Sequence, residues 1–223
     1  MNLNSLIPAF GRSRLKRDLL TVLIVGLLLA ACRTSPPTAS PDKPLFFDDF
    51  TQDNGLWEIF TEDGATAHIT AGQLTLANTR PATIALSVAA LNVGDFDLTV
   101  AATFVEGGST NSYGVIFRYL NEKTFYRLDL TGDGYWGVSR RLDDQWISVS
   151  EFVASPAIHT GPGATNLIRL VALTANFAIY ANDQLLGTVS DTTLTIGRIG
   201  LFVSTFDDPT IQAQFDNVRV VKP

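Results

Sequence analysis

Between Tyr113 and Trp146 the chain reads YGVIFRYLNEKTFYRLDLTGDGYWGVSRRLDDQW, three runs of aromatic and β-branched residues cut by polar turns. Tyr126, Leu128 and Leu130 alternate with Arg127 and Asp129, and Val115, Phe117 and Tyr119 alternate with Ile116, Arg118 and Leu120. A period of two gives a strand two unlike faces and is incompatible with a helix that has one apolar stripe. Asn121-Glu122-Lys123 and Thr131-Gly132-Asp133-Gly134 are tight-turn sequences, so this stretch is predicted to be an antiparallel β-meander. Strict alternation sends Tyr126, Leu128, Leu130, Trp136 and Val138 to the core with Phe117 and Tyr119. Arg118, Arg127, Asp129, Tyr135 and Arg141 then share the opposite face.

The pattern continues on both sides. Leu45–Phe50, Trp57–Phe60, Thr66–Thr70, Gln73–Ala77, Thr83–Val88 and Asp95–Val105 precede the meander, and Trp146–Phe152 extends it. Asn166–Ala172, Phe177–Ala181, Gln184–Ser190, Ile196–Val203 and Ile211–Val221 follow, with the Asn182-Asp183 turn between two of them. No stretch keeps a 3.6 period. About fifteen short strands, with turns every 8–12 residues or so, predict an all-β, two-sheet antiparallel sandwich rather than βαβ units.

The first 44 residues are of another kind. Arg12, Arg14, Lys16 and Arg17 precede the apolar run Leu19–Ala30, which at 12 residues falls short of the ~20 needed to span a bilayer. A basic segment, a short apolar segment and small residues describe a secretory signal. Leu29-Ala30-Ala31-Cys32, holding the chain's one cysteine, resembles a bacterial lipobox. That resemblance implies cleavage before Cys32, diacylglycerol on its sulfur and acylation of the new amino group. Two or three acyl chains anchor stably where one does not, at about 0.8 kcal/mol per buried CH2. Arg33–Pro44 has four prolines and no apolar cluster, the composition of an extended tether. The expected organisation is therefore a signal peptide (1–31), an acylated cysteine with its tether (32–44) and a β-domain (45–223), exported and facing away from the cytoplasm. The chain beyond residue 31 holds 12 basic and 21 acidic residues, a net −9. This balance argues against a nucleic-acid partner, because recognition there depends on neutralising phosphates. Attachment to the membrane is expected through the lipid, not through charge.

The segments LFFDDF (45–50), GQLTL (72–76), YGVIFRY (113–119), FYRLDL (125–130), IRLVAL (168–173), FAIYANDQLLGTVSD (177–191), GRIGLFVST (197–205) and FDNVRV (215–220) occur in an order that resembles a concanavalin A-like jelly roll, closest to laminin-G-like and glucanase-like domains of bacterial surface lipoproteins. The resemblance covers about residues 45–222. It implies two curved sheets, one concave, with the first and last strands side by side. Members of this fold bind carbohydrate, hydrolyse it, or do neither, so the fold alone assigns no activity.

A retaining glycosidase needs two carboxyls about 5–5.5 Å apart. Asp95 and Asp97 have the spacing of two but no third acid, and Asp48-Asp49, Asp143-Asp144 and Asp207-Asp208 are adjacent pairs that would point to opposite faces of a strand. His68 and His159 are far apart, and no nucleophile elbow or zinc spacing is present. Asp129, Thr131 and Asp133 mimic the start of a calcium loop, but the twelfth position is Arg140 where a bidentate Glu is required, which favours a β-turn. If the terminal strands pair, Asp48, Asp49, Asp216 and Asn217 approach one rim, where such jelly rolls place a structural calcium. Side-chain hydrogen bonding is the competing account, since calcium takes about six to eight oxygens and four side chains are in view. No other cofactor is indicated.

For a saccharide, Trp or Tyr stacks on the apolar ring face while Arg, Asp and Asn take the hydroxyls. Arg118, Arg127, Asp129, Tyr135 and Arg141 are the candidate glycan site. The competing account is an Arg–Asp ladder on a solvated sheet. Trp57, Trp136 and Trp146 are expected in the core more than on a platform. Three functions follow: a non-catalytic glycan-binding or surface-interaction module first, then a glucanase-like glycoside hydrolase, then a structural or adhesive lipoprotein. Exposed aromatics on the concave sheet favour the first, two facing carboxyls the second, and a filled or covered face the third.

Overall fold

A computed structural model describes residues 43–223; the signal segment, Cys32 and all but the end of the tether lie outside the described residues. Every regular element among the described residues is a strand. In chain order these are β1 (Phe46–Asp48), β2 (Phe60–Glu62), β3 (Ala65–Thr70), β4 (Gln73–Asn78), β5 (Ile84–Val93) and β6 (Phe96–Gly107). The meander follows as β7 (Ser112–Asn121), β8 (Thr124–Thr131), β9 (Tyr135–Leu142) and β10 (Gln145–Ser148), with β11 (Val153–Ala154) after it. Then come β12 (Ala164–Leu173), β13 (Asn176–Ala181), β14 (Gln184–Ser190), β15 (Gly197–Ser204) and β16 (Ile211–Val221).

They form two antiparallel sheets. The first runs β14-β13-β12-β6-β16-β4-β3-β2, with β1 also paired to β16; the second runs β10-β9-β8-β7-β15-β5, with β11 on β9. First and last strands do lie side by side, Phe46 opposite Val220 and Asp48 opposite Val218. The Tyr113–Trp146 stretch is the meander its alternation requires, four consecutive strands of one sheet.

The two inner faces close on one buried apolar layer. Phe96, Leu98, Val100, Phe104 and Phe215 come from the first sheet, and Tyr113, Val115, Phe117, Tyr126, Leu128 and Leu130 from the second. Phe117 joins them, stacked on Tyr126 at 5.0 Å and edge-on to Phe96 at 6.3 Å and Phe177 at 5.0 Å. Trp136 also belongs here, its indole lying where a Cβ on Gly187 of β14 would sit 2.7 Å from it.

Two face assignments from strict alternation, those of Arg118 and Tyr119, are corrected. Between Ile116 and Tyr119 strand β7 advances three residues while β15 advances two, from Gly200 to Arg198. That extra residue is a bulge. Arg118 takes φ 50° within it, and the chain there passes so close to Gly197 that a Cβ would meet the Arg118 carbonyl carbon at 2.3 Å. The bulge reverses the faces beyond it. Arg118 turns inward, donates to the carbonyls of Leu194 and Thr174 at 2.6 Å each, and lies 5.0 Å over Phe177. Burial pulls its pKa below the ordinary guanidinium value, against the opposing effects of Tyr126 and Asp95. Tyr119 turns outward, joining Val88, Ile116, Phe125 and Phe202 in a second apolar layer on the outer face of the second sheet.

Inside the core the Tyr113 hydroxyl accepts from Asn166 Nδ2 at 2.9 Å, and burial pushes its pKa up from 10.0 to about 12. Folding favours the neutral phenol, so the associated stability is intact below pH 10 and is lost as pH rises towards 12. Two units amount to about 3 kcal/mol. Urea denaturation at pH 9 and pH 11.5 should differ by about 2 kcal/mol on account of this group, since the full loss is reached only above pH 12. Tyr113→Phe should flatten the difference, and an unchanged slope in that variant would count against the assignment.

Candidate functional site: a groove on the outer face of the second sheet

Residues of β8, β9 and β10 that point away from the core build a groove. On β8 these are Phe125, Arg127 and Asp129; across from them on β9 are Arg141, Ser139 and Gly137. The turn Asp143-Asp144 has positive φ at both residues, 49° and 73°, the geometry of a two-residue hairpin. It sets Trp146 of β10 opposite Arg141, so the indole falls on the same outer face. The cavity holds about 610 Å3 and is lined by Arg127, Ser139, Arg141 and Trp146 from the meander. Arg80, Thr83 and Ile84 close one side, Ser204, Thr205 and Phe206 continue the wall, and Phe152 packs over Gly137, where a Cβ would sit 3.0 Å from its ring. A second cavity of about 380 Å3, sharing Phe152 and Phe206, extends to Tyr135 and Asp133.

Arg127 forms the floor. Its Nε donates to Asp129 Oδ2 at 2.9 Å, its Nη2 lies 2.6 Å from Oδ1, and Ser112 Oγ donates to Oδ1 at 2.7 Å. The guanidinium sits among aromatic rings, 4.9 Å from Trp146, 5.0 Å from Phe202 and 6.0 Å from Phe206. Gly114 lies between Asp129 and Phe202 in register, and a Cβ there would come within 2.1 Å of the Leu128 carbonyl oxygen. Trp146 is 48% exposed, yet its position is held: Phe125 meets it edge-on at 5.7 Å, and the Arg127 and Arg141 guanidinium groups lie over its ring. Arg141 is itself tied to Asp144 and to the Glu122 carbonyl. Arg127–Asp129 and Arg141–Asp144 are ion pairs, local to one strand and one hairpin turn and not a ladder across strands, and they brace the exposed Trp146 ring.

The candidates fare differently. Arg127, Asp129 and Arg141 are brought together, with Asp129 beneath the surface as a brace. Tyr135 stands 42% exposed in the adjoining cavity. Arg118 is on the other side of the sheet. Trp146 was expected in the core and is instead the exposed platform, while Trp57 and Trp136 are buried. Arg80, Phe152 and Phe206 lie in turns and loops whose faces alternation does not specify.

The acids have other work. Asp97 is held bidentately by Arg169, and Asp95 accepts from the Thr174 amide at 2.7 Å. Asp129 is fully buried with both oxygens engaged. The main cavity is lined by no carboxylate. The Thr131–Gly134 segment is a turn, with Thr131 Oγ1 bonded to Asp133 and to the Tyr135 amide. At the rim, Asp48 accepts from the Phe50 amide at 2.9 Å and from Trp57 Nε1 at 3.0 Å, while half-buried Asp49 is lowered in pKa by hydrogen bonds from Thr51. Asp216 pairs with Ala101, and Asn217 takes φ 54° in an irregular stretch of β16. Among the described residues no three of His, Cys, Asp and Glu gather as a metal group.

No protein-family model matches the chain. A 93-residue stretch is 36% identical to a TPR repeat-containing protein of Treponema pallidum, a match over 40% of this chain; the chain spans about a tenth of that relative's length. Among solved structures, the carbohydrate-binding module CBM66 from Bacillus subtilis superposes with TM-score 0.62 at 18% identity, over 75% of this chain and 96% of that one. A Bacillus licheniformis β-glucanase superposes with TM-score 0.60 at 11% identity, over 80% and 98%. These likenesses, together with the two antiparallel sheets, show the fold: this chain is an antiparallel jelly-roll sandwich.

Proposed function

We propose that this chain is an exported, lipid-anchored module that binds a glycan in the groove of its second sheet without transforming it. The observation that carries the proposal is Trp146, half-exposed beside two guanidinium groups at a cavity of about 610 Å3. A pyranose stacked on the indole would place its hydroxyls within reach of Arg80, Arg141, Ser139 and Ser204. The volume suits a short saccharide. A carbohydrate-binding module among the superposable structures supports the same reading. A glucanase does so less, because a two-carboxylate mechanism needs a pair that the lining of this cavity does not offer.

Residues 43–223 contain the sixteen described strands and both apolar layers, which supports the expectation that residues 41–223 fold as a soluble domain. That domain, applied to a glycan array, should bind a restricted set of saccharides. An array blank across neutral and acidic glycans, with the domain shown folded by circular dichroism, would refute the proposal and move the structural role to first place.

Anchorage rests on the Leu29-Ala30-Ala31-Cys32 sequence alone. Cys32→Ala should shift the protein out of the membrane fraction, or leave it unprocessed, with loss of labelling by a clickable fatty acid. Unchanged labelling and mass would sink the lipobox assignment.

A further inference from the structure

On the basis of the groove being a glycan site, we infer that its ligand is an acidic saccharide, recognised through a sugar carboxylate by Arg80 and Arg141. The domain is strongly acidic, yet the main cavity presents three arginines and no carboxylate. Their states differ. Arg127 is matched by Asp129 beneath it. Arg141 is matched by Asp144 through one Nη, but its Nε is buried without a partner. Arg80 makes no ion pair among the described residues, and its Nε is likewise buried and unpartnered.

Arg118 and Arg140, away from the cavity, have unpartnered Nε atoms too, so what singles out the groove is three guanidinium groups on a lining without a carboxylate, with Arg80 unmatched by any acid among the described residues. Arg80 is also fixed from behind. Its amide donates to Asn78 Oδ1 at 3.1 Å, and its carbonyl accepts from Thr83 Oγ1 at 2.9 Å and from Thr205 Oγ1. A guanidinium fork on a fixed backbone suits a planar carboxylate, which can accept two parallel N–H bonds. Arg80 and Arg141 also line a smaller adjoining cavity of about 290 Å3, but Glu58, Glu62 and Glu122 line it as well, so the positive charge belongs to the main cavity and the sugar carboxylate is expected there. The acid group could be internal, as in a uronate chain, or terminal, as in a sialoside; the chemistry at the arginines is the same.

Calorimetric titration of residues 41–223 tests this with matched pairs: oligogalacturonate and glucuronate oligomers against their methyl esters, and sialyllactose against lactose. At least one acid should bind tenfold or more tighter than its uncharged counterpart, with the preference shrinking as salt is raised from 50 to 500 mM. Arg80→Gln and Arg141→Gln should each reduce that preference to below threefold, whereas Arg169→Gln, on the other sheet, should leave it intact. Equal binding of acid and uncharged forms would overturn the carboxylate inference and leave the glycan site standing. Binding confined to sulfated glycans on the array would also overturn it. No binding by the folded domain to any saccharide would overturn both.

Discussion

Asp129→Ala should lower the unfolding free energy by about 3–5 kcal/mol, because it strands the Arg127 guanidinium in a site 8% exposed with no carboxylate to meet it. For a domain of this size each kcal/mol is worth roughly 2–4 °C, so the melting temperature should fall by about 10 °C. The deficit arises from the orphaned charge more than from the lost attraction. The double variant Arg127→Met/Asp129→Leu should therefore recover most of the stability, since replacing a buried pair by apolar side chains is often neutral or better. It should not recover glycan binding. That outcome would mean the pair is kept to hold the platform. Calorimetric melting of the two variants separates these effects, and a loss below about 1 kcal/mol in Asp129→Ala would show that water reaches Arg127 freely.

Trp146→Ala should produce the opposite profile. The indole is half-exposed on a four-residue edge strand, so stability should change by less than about 1 kcal/mol. Affinity for the glycan should fall about 30-fold or more, the loss of a hot-spot contact worth roughly 2 kcal/mol. Trp146→Phe should retain part of it, because a smaller ring still stacks on the Arg127 guanidinium. Trp136→Ala serves as the contrast: that indole is buried against Gly187, and its removal should cost about 3–5 kcal/mol of stability. If Trp146→Ala binds like the parent, the platform is elsewhere.

The strands were legible because a half-buried sheet imposes a two-residue period that no turn or loop imitates over eight residues. Burial alternates most plainly along β6, and although both faces of β8 are covered, the outward placement of Arg127, Asp129 and Arg141 followed from the same period in Tyr126, Leu128 and Leu130. Arg118 did not follow, because the bulge before Tyr119 adds a residue that alternation cannot count. A cue was present in Gly197, whose missing side chain admits the bulged backbone, but its meaning depends on knowing that β15 lies beside β7. Trp146 could have been placed. Leu142-Asp143-Asp144-Gln145 is a two-residue hairpin sequence, and counting from it sets Trp146 opposite outward-facing Arg141. What misled was the general tendency of tryptophan to be buried. Arg80, Phe152 and Phe206 carry no periodic signal. They enter the groove through loops, whose course depends on contacts far away in sequence, such as that between Arg80 and Thr205.

The three tryptophans offer the most direct test of the groove itself. In a 15N-labelled sample of residues 41–223, each indole gives one N–H resonance, and only Trp146 lies in the groove while Trp57 and Trp136 are in the core. Titration with the strongest glycan from the array should move the Trp146 indole signal and the backbone amides of Arg127, Ser139 and Ser204, leaving the other two indoles in place. Shifts confined to the first sheet or to the β1–β16 rim, with Trp146 unmoved at saturation, would contradict the account.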